Sequence, residues 1–289
     1  MTSYRGRFAP SPTGELHFGS LFAAVISYLD ARKSFGSWIV RIEDIDPLRE
    51  QKNASEKIVE SLRAHGLNSD QALSYQSKRS GLYERALSRL STNNTSYYCP
   101  CSRKHLALNN GQHSEVCISG ISSARTCATK FKLTNKHFNW DDCFLGHMHS
   151  ELTEDFVLKR KEGYYAYQLA VVCDDIDQEI THVIRGADLT SSTPMQLALY
   201  HALASPPPIF GHFPLITNEQ GQKLSKQNLS QPISNLNALE NLLEVFNILG
   251  ILFDKRPLSP SEALSTATPK WNSLLLPNKN ITNHYPPVT

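Results

Sequence analysis

The chain has 289 residues, of which 40% are hydrophobic and 19% charged, and its net charge is +2. That length and apolar content suit one large domain or a core with one insertion, and the composition excludes a disordered polyelectrolyte. With so small a net charge, bulk electrostatics permit a nucleic-acid partner without arguing for one, so any RNA surface has to be a local patch.

Tyr4 to Ala9 reads as a strand that runs into the tight turn Pro10-Ser11-Pro12-Thr13-Gly14. Phe18 to Arg32 then reads as a helix, with Leu21, Phe22, Val25, Ile26 and Leu29 on one broad face. Strand, turn and helix start together aim unpaired N–H groups and a positive helix end at one spot, which suits a phosphate. Ser37 to Glu43 is strand-like and ends in the acidic Glu43-Asp44-Ile45-Asp46. Glu50 to His65 is expected to be helical with Gly66 as its stop, and Ser77 to cap a further helix to Leu90. This alternation predicts an α/β fold with a doubly wound parallel sheet. In such sheets ligands bind beyond the C-terminal strand ends, where Arg7 to Ser11 and Glu43 fall.

From about Asn93 the texture changes to Asn, Ser, Cys and His, and roughly 80–160 reads as an insertion with short strands at Lys130 to Leu133 and Phe156 to Arg160. Tyr164 to Cys173 and Ile180 to Arg185 resume strand-like patterns. Thr193-Pro194 starts a helix to Ala204, which the run Pro206-Pro207-Pro208 breaks. Lys223-Leu224-Ser225-Lys226 puts two ammonium groups on a polar loop able to fold over the phosphate spot. Leu236 to Leu249 is an amphipathic helix closed by Gly250, and little pattern follows it.

Six cysteines in a chain of this length do not make a disulfide scaffold. Cys99, Cys101, His113 and Cys117 supply four soft or borderline donors of the kind that hold structural zinc, although the spacing is not the common paired one and His105 or Cys127 are alternatives. Cys127, Cys143 and Cys173 read as small apolar residues. His147-Met148-His149 reads as a loop, and Lys159-Arg160-Lys161 with Lys130, Lys132 and Lys136 as a modest basic patch or a solvated face. No run of about eighteen apolar residues predicts a spanning helix. The N-terminus lacks a secretory pattern. A cytoplasmic address without a membrane partner is expected.

Six motifs in order carry a family resemblance: Arg7-Phe8-Ala9-Pro10-Ser11-Pro12-Thr13-Gly14, His17-Phe18-Gly19-Ser20, Arg41-Ile42-Glu43-Asp44-Ile45-Asp46, Tyr164 through Ala170, Ile184-Arg185-Gly186-Ala187-Asp188-Leu189, and Lys223-Leu224-Ser225-Lys226-Gln227. On these the chain resembles class I aminoacyl-tRNA synthetases of the glutamyl type, and more closely their truncated glutamyl-Q subfamily. Ser20, Leu224 and Gln227 depart from the general motifs, but the subfamily is similar in having His-Phe-Gly-Ser. The resemblance implies a Rossmann-like catalytic domain at 1–80 plus 160–232 and an inserted zinc-bearing subdomain at 81–159. It leaves a short helical C-terminal region at 233–289, with no anticodon-binding domain.

It further implies ATP-dependent, tRNA-independent activation of L-glutamate and transfer to the queuosine base at the wobble position of tRNA(Asp), by a monomer. In that chemistry a carboxylate attacks the α-phosphate of ATP and pyrophosphate leaves, so fixed donors and cations at the phosphates lower the barrier. His17, Gly19, Lys223 and Lys226 take the catalytic and ATP-binding places. Arg7, Phe8, Ala9, Pro10, Ser11, Glu43, Tyr167 and Arg185 take the glutamate pocket, with Arg185 on the side-chain carboxylate and Glu43 on the ammonium. Mg²⁺ accompanies ATP, and one structural Zn²⁺ sits on Cys99, Cys101, His113 and Cys117, where the subfamily has tyrosine in place of His113. Read singly, His17 is a helix cap, Lys223 and Lys226 a solvated turn, and Arg185 and Glu43 members of structural ion pairs. The alternatives are a tRNA(Glu)-charging remnant and a non-enzymatic zinc-containing RNA-binding module.

Overall fold

A computed structural model describes residues 3–101, 103–108, 127–217, 232–276 and 281–282, and the structural statements here concern those residues. Strand β1 (Arg5–Phe8) leads through the Pro/Gly turn to helix α1 (Phe18–Lys33), then β2 (Ser37–Ile42), α2 (Ala54–Ala64), β3 (Ser74–Tyr75) and α3 (Ser80–Thr92). Next come β4 (Ser96–Cys99), α4 (Arg103–Leu108), β5 (Ala128–Phe131), β6 (His137–Asp142), β7 (Gly146–Glu151) and β8 (Val157–Lys159). Helix α5 (Tyr167–Asp177), β9 (His182–Gly186), α6 (Thr193–Ala202) and β10 (Ile209–Phe213) come next. β11 (Ile216–Thr217), α7 (Ala238–Ile248), α8 (Pro260–Ala267) and β12 (Ile281–Thr282) follow.

Seven strands form the main sheet in the order β3-β2-β1-β9-β10-β6-β7. All neighbours are parallel except the β6–β7 hairpin. From β1 the chain moves outward through β2 and β3. It returns on the other side of β1 with β9 and β10, so the order reverses between β1 and β9. Ligands of open α/β sheets bind at such a reversal, beyond the carboxyl ends of the strands.

Alternation along the strands sends side chains to two cores. Phe8, Trp38, Val40, Ile42 and Ile184 pack with α1, α2, α7 and α8 on one face. Ile39, Val183 and Phe210 pack with α3, α5 and α6 on the other. The same alternation puts Arg7, Arg41 and Arg185 on the α5/α6 face, all of them buried. β4, β5 and β8 make a separate three-stranded antiparallel sheet. Within the expected 81–159 insertion, then, one sheet stands apart, while the hairpin 137–151 hydrogen-bonds to β10 of the main sheet.

Three local readings are corrected. Tyr164 to Cys173 is not a strand: it contributes most of α5, whose residues Leu169 to Asp175 are all buried. A helix wedged between a sheet and two other helices is apolar nearly all round, so the run has no period to separate it from a buried strand. His147 to His149 lies in β7 rather than a loop, with His147 opposite Asp141 and His149 opposite Asn139. Ser77 does not cap α3: its N–H and hydroxyl donate to the Asp44 carboxylate at 2.9 and 2.6 Å, tying the α3 entry to the acidic end of β2. Cys127 and Cys173 are buried as expected of small apolar residues, whereas Cys143 is exposed at the β6–β7 turn. No helix among the described residues is long and apolar enough to cross a membrane.

Candidate active site

At the C-terminal ends of β1 and β9 lies a cavity of about 580 Å³. Arg7, Phe8, Ala9, Pro10 and Ser11 line it from β1 and the turn, and His17 and Gly19 from the start of α1. Tyr167 lines it from α5 and Arg185 from β9. Nine of the residues singled out in the sequence therefore meet around one space. Glu43 borders a second cavity of about 390 Å³ that shares Ala9, Ser11 and Tyr167 with the first. Lys223, Lys226, His113 and Cys117 lie outside the described residues.

The turn is held in place by its own backbone. The Pro10 carbonyl accepts from the Glu43 N–H at 3.0 Å, and the Pro12 carbonyl from the Gln51 N–H at 3.0 Å. Proline cannot donate, so the turn uses its carbonyls to dock on the end of β2 and on the segment that leads into α2. Gly14, at φ 152°, then takes a backbone conformation open to glycine. His17 caps α1: its Nδ1 accepts from the Ser20 N–H at 3.3 Å and its Nε2 lies 2.9 Å from the Ser20 hydroxyl. The capping role and a place on the cavity wall thus belong to the same side chain.

Charge under the cavity floor is dense. Arg41 is fully buried and pairs with Asp175 at 2.8 Å, Glu43 at 3.4 Å and Asp174 at 3.6 Å. Burial opposes its charge, but the three carboxylates together more than restore it. Arg7 pairs with Asp175 at 3.4 Å. Asp174 also accepts from Arg79 Nε at 2.6 Å and Gln76 Nε2 at 2.7 Å. These aspartates stand in the last turns of α5, where the helix dipole disfavours anions; the arginines of β1 and β2 and Arg79 offset that. Glu43 is pushed up to about 7, first by burial and then by Asp175 and Asp174, against the pull of Arg41 and Arg7.

Arg185 differs. Its Nε–H donates to His212 Nε2 at 2.9 Å, and its other described bonds go to Gln196 Oε1 at 2.9 Å, Thr193 Oγ1 at 2.9 Å and the Leu189 carbonyl at 3.4 Å. Every one of these acceptors is uncharged. Its guanidinium stacks on Phe210, 5.2 Å from the ring centre. Burial lowers its pKa from the ordinary value, and the nearby Arg7 charge lowers it further. Arg185 and Glu43 do not pair with each other. Behind Arg185, burial holds the His212 imidazole below its ordinary range, so the ring is neutral. Its Nδ1–H donates to Asp142 Oδ2, leaving Nε2 as the acceptor. A Cβ at Gly186 would lie 2.6 Å from an Asp188 carboxylate oxygen, so a larger residue there would push that side chain aside.

The family model for tRNA synthetases class I (E and Q), catalytic domain, matches residues 3–134 and 117–256. A Xanthomonas campestris pv. campestris protein named glutamyl-Q tRNA(Asp) synthetase is 47% identical over 250 residues, covering 86% of this chain and 84% of its own. A Neisseria meningitidis serogroup C protein of the same name is 41% identical over 293 residues, covering 96% and 99%. The chain belongs to the glutamyl-Q tRNA(Asp) synthetase family of class I synthetases. It is an enzyme of the aminoacyl-tRNA synthetase type, a ligase. A solved glutamate tRNA ligase from Elizabethkingia meningosepticum, in complex with its amino acid, shares the fold at TM-score 0.78 and 24% identity, over 97% of this chain and 67% of its own.

Several residues behind the site escaped the sequence reading: Asp174 and Asp175, Gln196 and Thr193, and the Asp142–His212 pair. A usable signal for the first two was the acidic doublet closing an apolar run, which is costly to bury without cations. Asp142 and His212 are seventy positions apart and carry no local signal. Cys99 ends β4 and Cys101 follows shortly; among the described residues no group of three or more His, Cys, Asp or Glu is arranged to hold a metal.

Proposed function

We propose that this enzyme activates L-glutamate with ATP as glutamyl-adenylate, without tRNA, and transfers the glutamate to the queuosine base at the wobble position of tRNA(Asp). The amino-acid half rests on one observation. Arg185 is 5% exposed, borders the cavity, and has only uncharged described hydrogen-bond partners. A buried guanidinium so placed recovers the cost of its burial from an incoming carboxylate. Glutamine would turn an NH₂ toward these donors and leave the charge uncompensated.

In this reading Arg185 and Arg7 take the side-chain carboxylate, Glu43 the α-ammonium, and Tyr167 closes the pocket. The turn Phe8 to Ser11 lines the substrate. One α-carboxylate oxygen bonds to the α-phosphorus as the bond from phosphorus to the pyrophosphate oxygen breaks. His17, Gly19 and the α1 N-terminus would hold the phosphates, and Lys223 and Lys226 the departing pyrophosphate. Mg²⁺, bound with ATP, would supply further charge neutralisation. A structural zinc on Cys99, Cys101, His113 and Cys117 is part of the proposal; the two thiols at the end of β4 suit its donor chemistry. Metal analysis should find about one zinc per chain, and less in Cys99→Ser.

The acceptor half follows the names of the relatives. The test is pyrophosphate exchange into ATP, expected with glutamate and no RNA, together with labelling of tRNA(Asp) only when it carries queuosine. Charging of tRNA(Glu) at its 3′ end would overturn the acceptor.

A further inference from the structure

Away from both cavities, a buried polar pair joins α2 to α7. His65, which caps the C-terminus of α2, and Asn241, on α7, are 0% and 2% exposed. His65 Nδ1 lies 2.7 Å from the Ser61 carbonyl, which can only accept, so Nδ1 carries the proton and Nε2 is left as an acceptor. Burial lowers the pKa of the imidazole from its ordinary value and keeps the ring neutral. The Asn241 amide donates to that Nε2 at 3.0 Å and to the Ser234 carbonyl, also at 3.0 Å. Two apolar side chains of the same shape would hold the helices about as well, so what the polar pair adds is a fixed place for Ser234. The neighbours of Ser234 lie beside the site. The Ile233 N–H donates to the Leu16 carbonyl at 3.0 Å, and Pro232 forms an isolated bridge with His17. Segment 232–234 therefore runs along residues 16 and 17, just before α1, and is bonded to α7 on its other side. His17 lines the first cavity together with Gly19 and Ser20. One chain of hydrogen bonds thus leads from the end of α2, through α7 and segment 232–234, to the neighbour of the capping histidine.

We infer that His65 and Asn241 are positioning residues for the phosphate half of the site: they fix segment 232–234, which in turn holds Leu16 and His17 at the cavity wall. The inference rests on the phosphate role proposed above for His17 and Gly19. Donors that meet developing charge have to be in place beforehand, and a misplacement of about 1 Å can cost about a hundredfold in rate. The glutamate residues are held by other means. Arg7 and Arg185 stand on β1 and β9, Glu43 follows β2 and Tyr167 begins α5, and none of them belongs to this chain of bonds. Loss of the pair should therefore be felt by ATP and not by the amino acid.

The test is calorimetric titration of the full chain with ATP and, separately, with glutamate. Asn241→Leu is close in volume, brings no charge and removes both donors, leaving the Ser234 carbonyl and His65 Nε2 unmatched. ATP should bind about tenfold more weakly, with glutamate affinity kept within about twofold. Val245→Ala opens a gap in the same helix and core without touching the pair, and so separates positioning from general loosening. It should lower the melting temperature while ATP affinity stays within about twofold. If Asn241→Leu does not fold, Ile233→Pro, which removes the N–H that Leu16 accepts, is measured with the same expectation. Unaltered ATP affinity in the folded variant, glutamate weakened as much as ATP, or an equal ATP loss in Val245→Ala each overturns the inference. Pyrophosphate exchange by the unaltered chain is read alongside. Exchange with ATP affinity unmoved in the variant rejects the positioning role and leaves activation standing. Absence of exchange with ATP still bound rejects activation, and the titrations then decide the positioning role by themselves. No ATP binding at all rejects both.

Discussion

A guanidinium held by four uncharged acceptors keeps its plane and its charge at once, and lysine can imitate only the charge. Arg185→Lys loses the fork that pairs with both carboxylate oxygens and the Nε–H that meets His212. The Michaelis constant for glutamate should rise about tenfold to a hundredfold, with that for ATP nearly unchanged. Exchange kinetics at varied glutamate and varied ATP check this, and equal effects on both would count against the assignment. Glu43, pushed up to about 7, titrates near neutral pH. A substrate ammonium favours its ionised form, so glutamate binding should release a proton, and affinity should climb with pH until about 7 and then level off. Calorimetry in buffers of different ionisation heat measures that proton. For stability the sign is opposite to that of an ordinary carboxylate. A raised folded pKa contributes fully below the unfolded value and is lost as pH rises through the folded one. Relative to Glu43→Gln, the parent chain should therefore lose stability between about pH 4.5 and 7, on the order of 3 kcal/mol.

Between elements, the hairpin 137–151 reaches the site through one carboxylate. Asp142 Oδ1 accepts from the N–H groups of His212, Phe144 and Leu145 at 3.0, 3.0 and 3.1 Å, while Oδ2 takes the His212 ring. In Asp142→Asn the amide oxygen has to stay with those three donors, which turns the NH₂ toward Nδ1. The imidazole must then carry its proton on Nε2, facing the Arg185 N–H, donor against donor. Glutamate affinity should fall about tenfold with ATP affinity kept, as separate titrations would show. None of this was legible in the sequence, because β6 and β10 are joined only by tertiary pairing and their partners lie far apart along the chain. What was legible had a local cause. The Pro/Gly turn, the His17 cap and the Gly66 stop at φ 73° each depend on neighbours a few residues away. α5 was misread for the converse reason: deep burial on all sides erased the period that marks a surface helix.

At the level of the whole chain, alternating strands and helices foretold a parallel sheet, and the pocket residues fell where strand ends should put them. The seven-strand order was not foretold, since the place of the hairpin beside β10 depends on which edge was left open after β9 and β10 had paired. Arg7 and Glu43 come from the first fifty residues, and Tyr167 and Arg185 from beyond residue 160. The two sets meet along the parallel seam between β1 and β9, where Gly6 stands in register with His182. An amino acid lodged between those arginines would grip both sides of the seam, acting as a removable clasp on the sheet. Saturation with glutamate should therefore raise the melting temperature, by the equivalent of about 2.7 kcal/mol at a hundredfold excess over its dissociation constant. In Arg185→Lys at the same glutamate concentration about half of that gain or more should vanish, because the clasp then fastens on one side only.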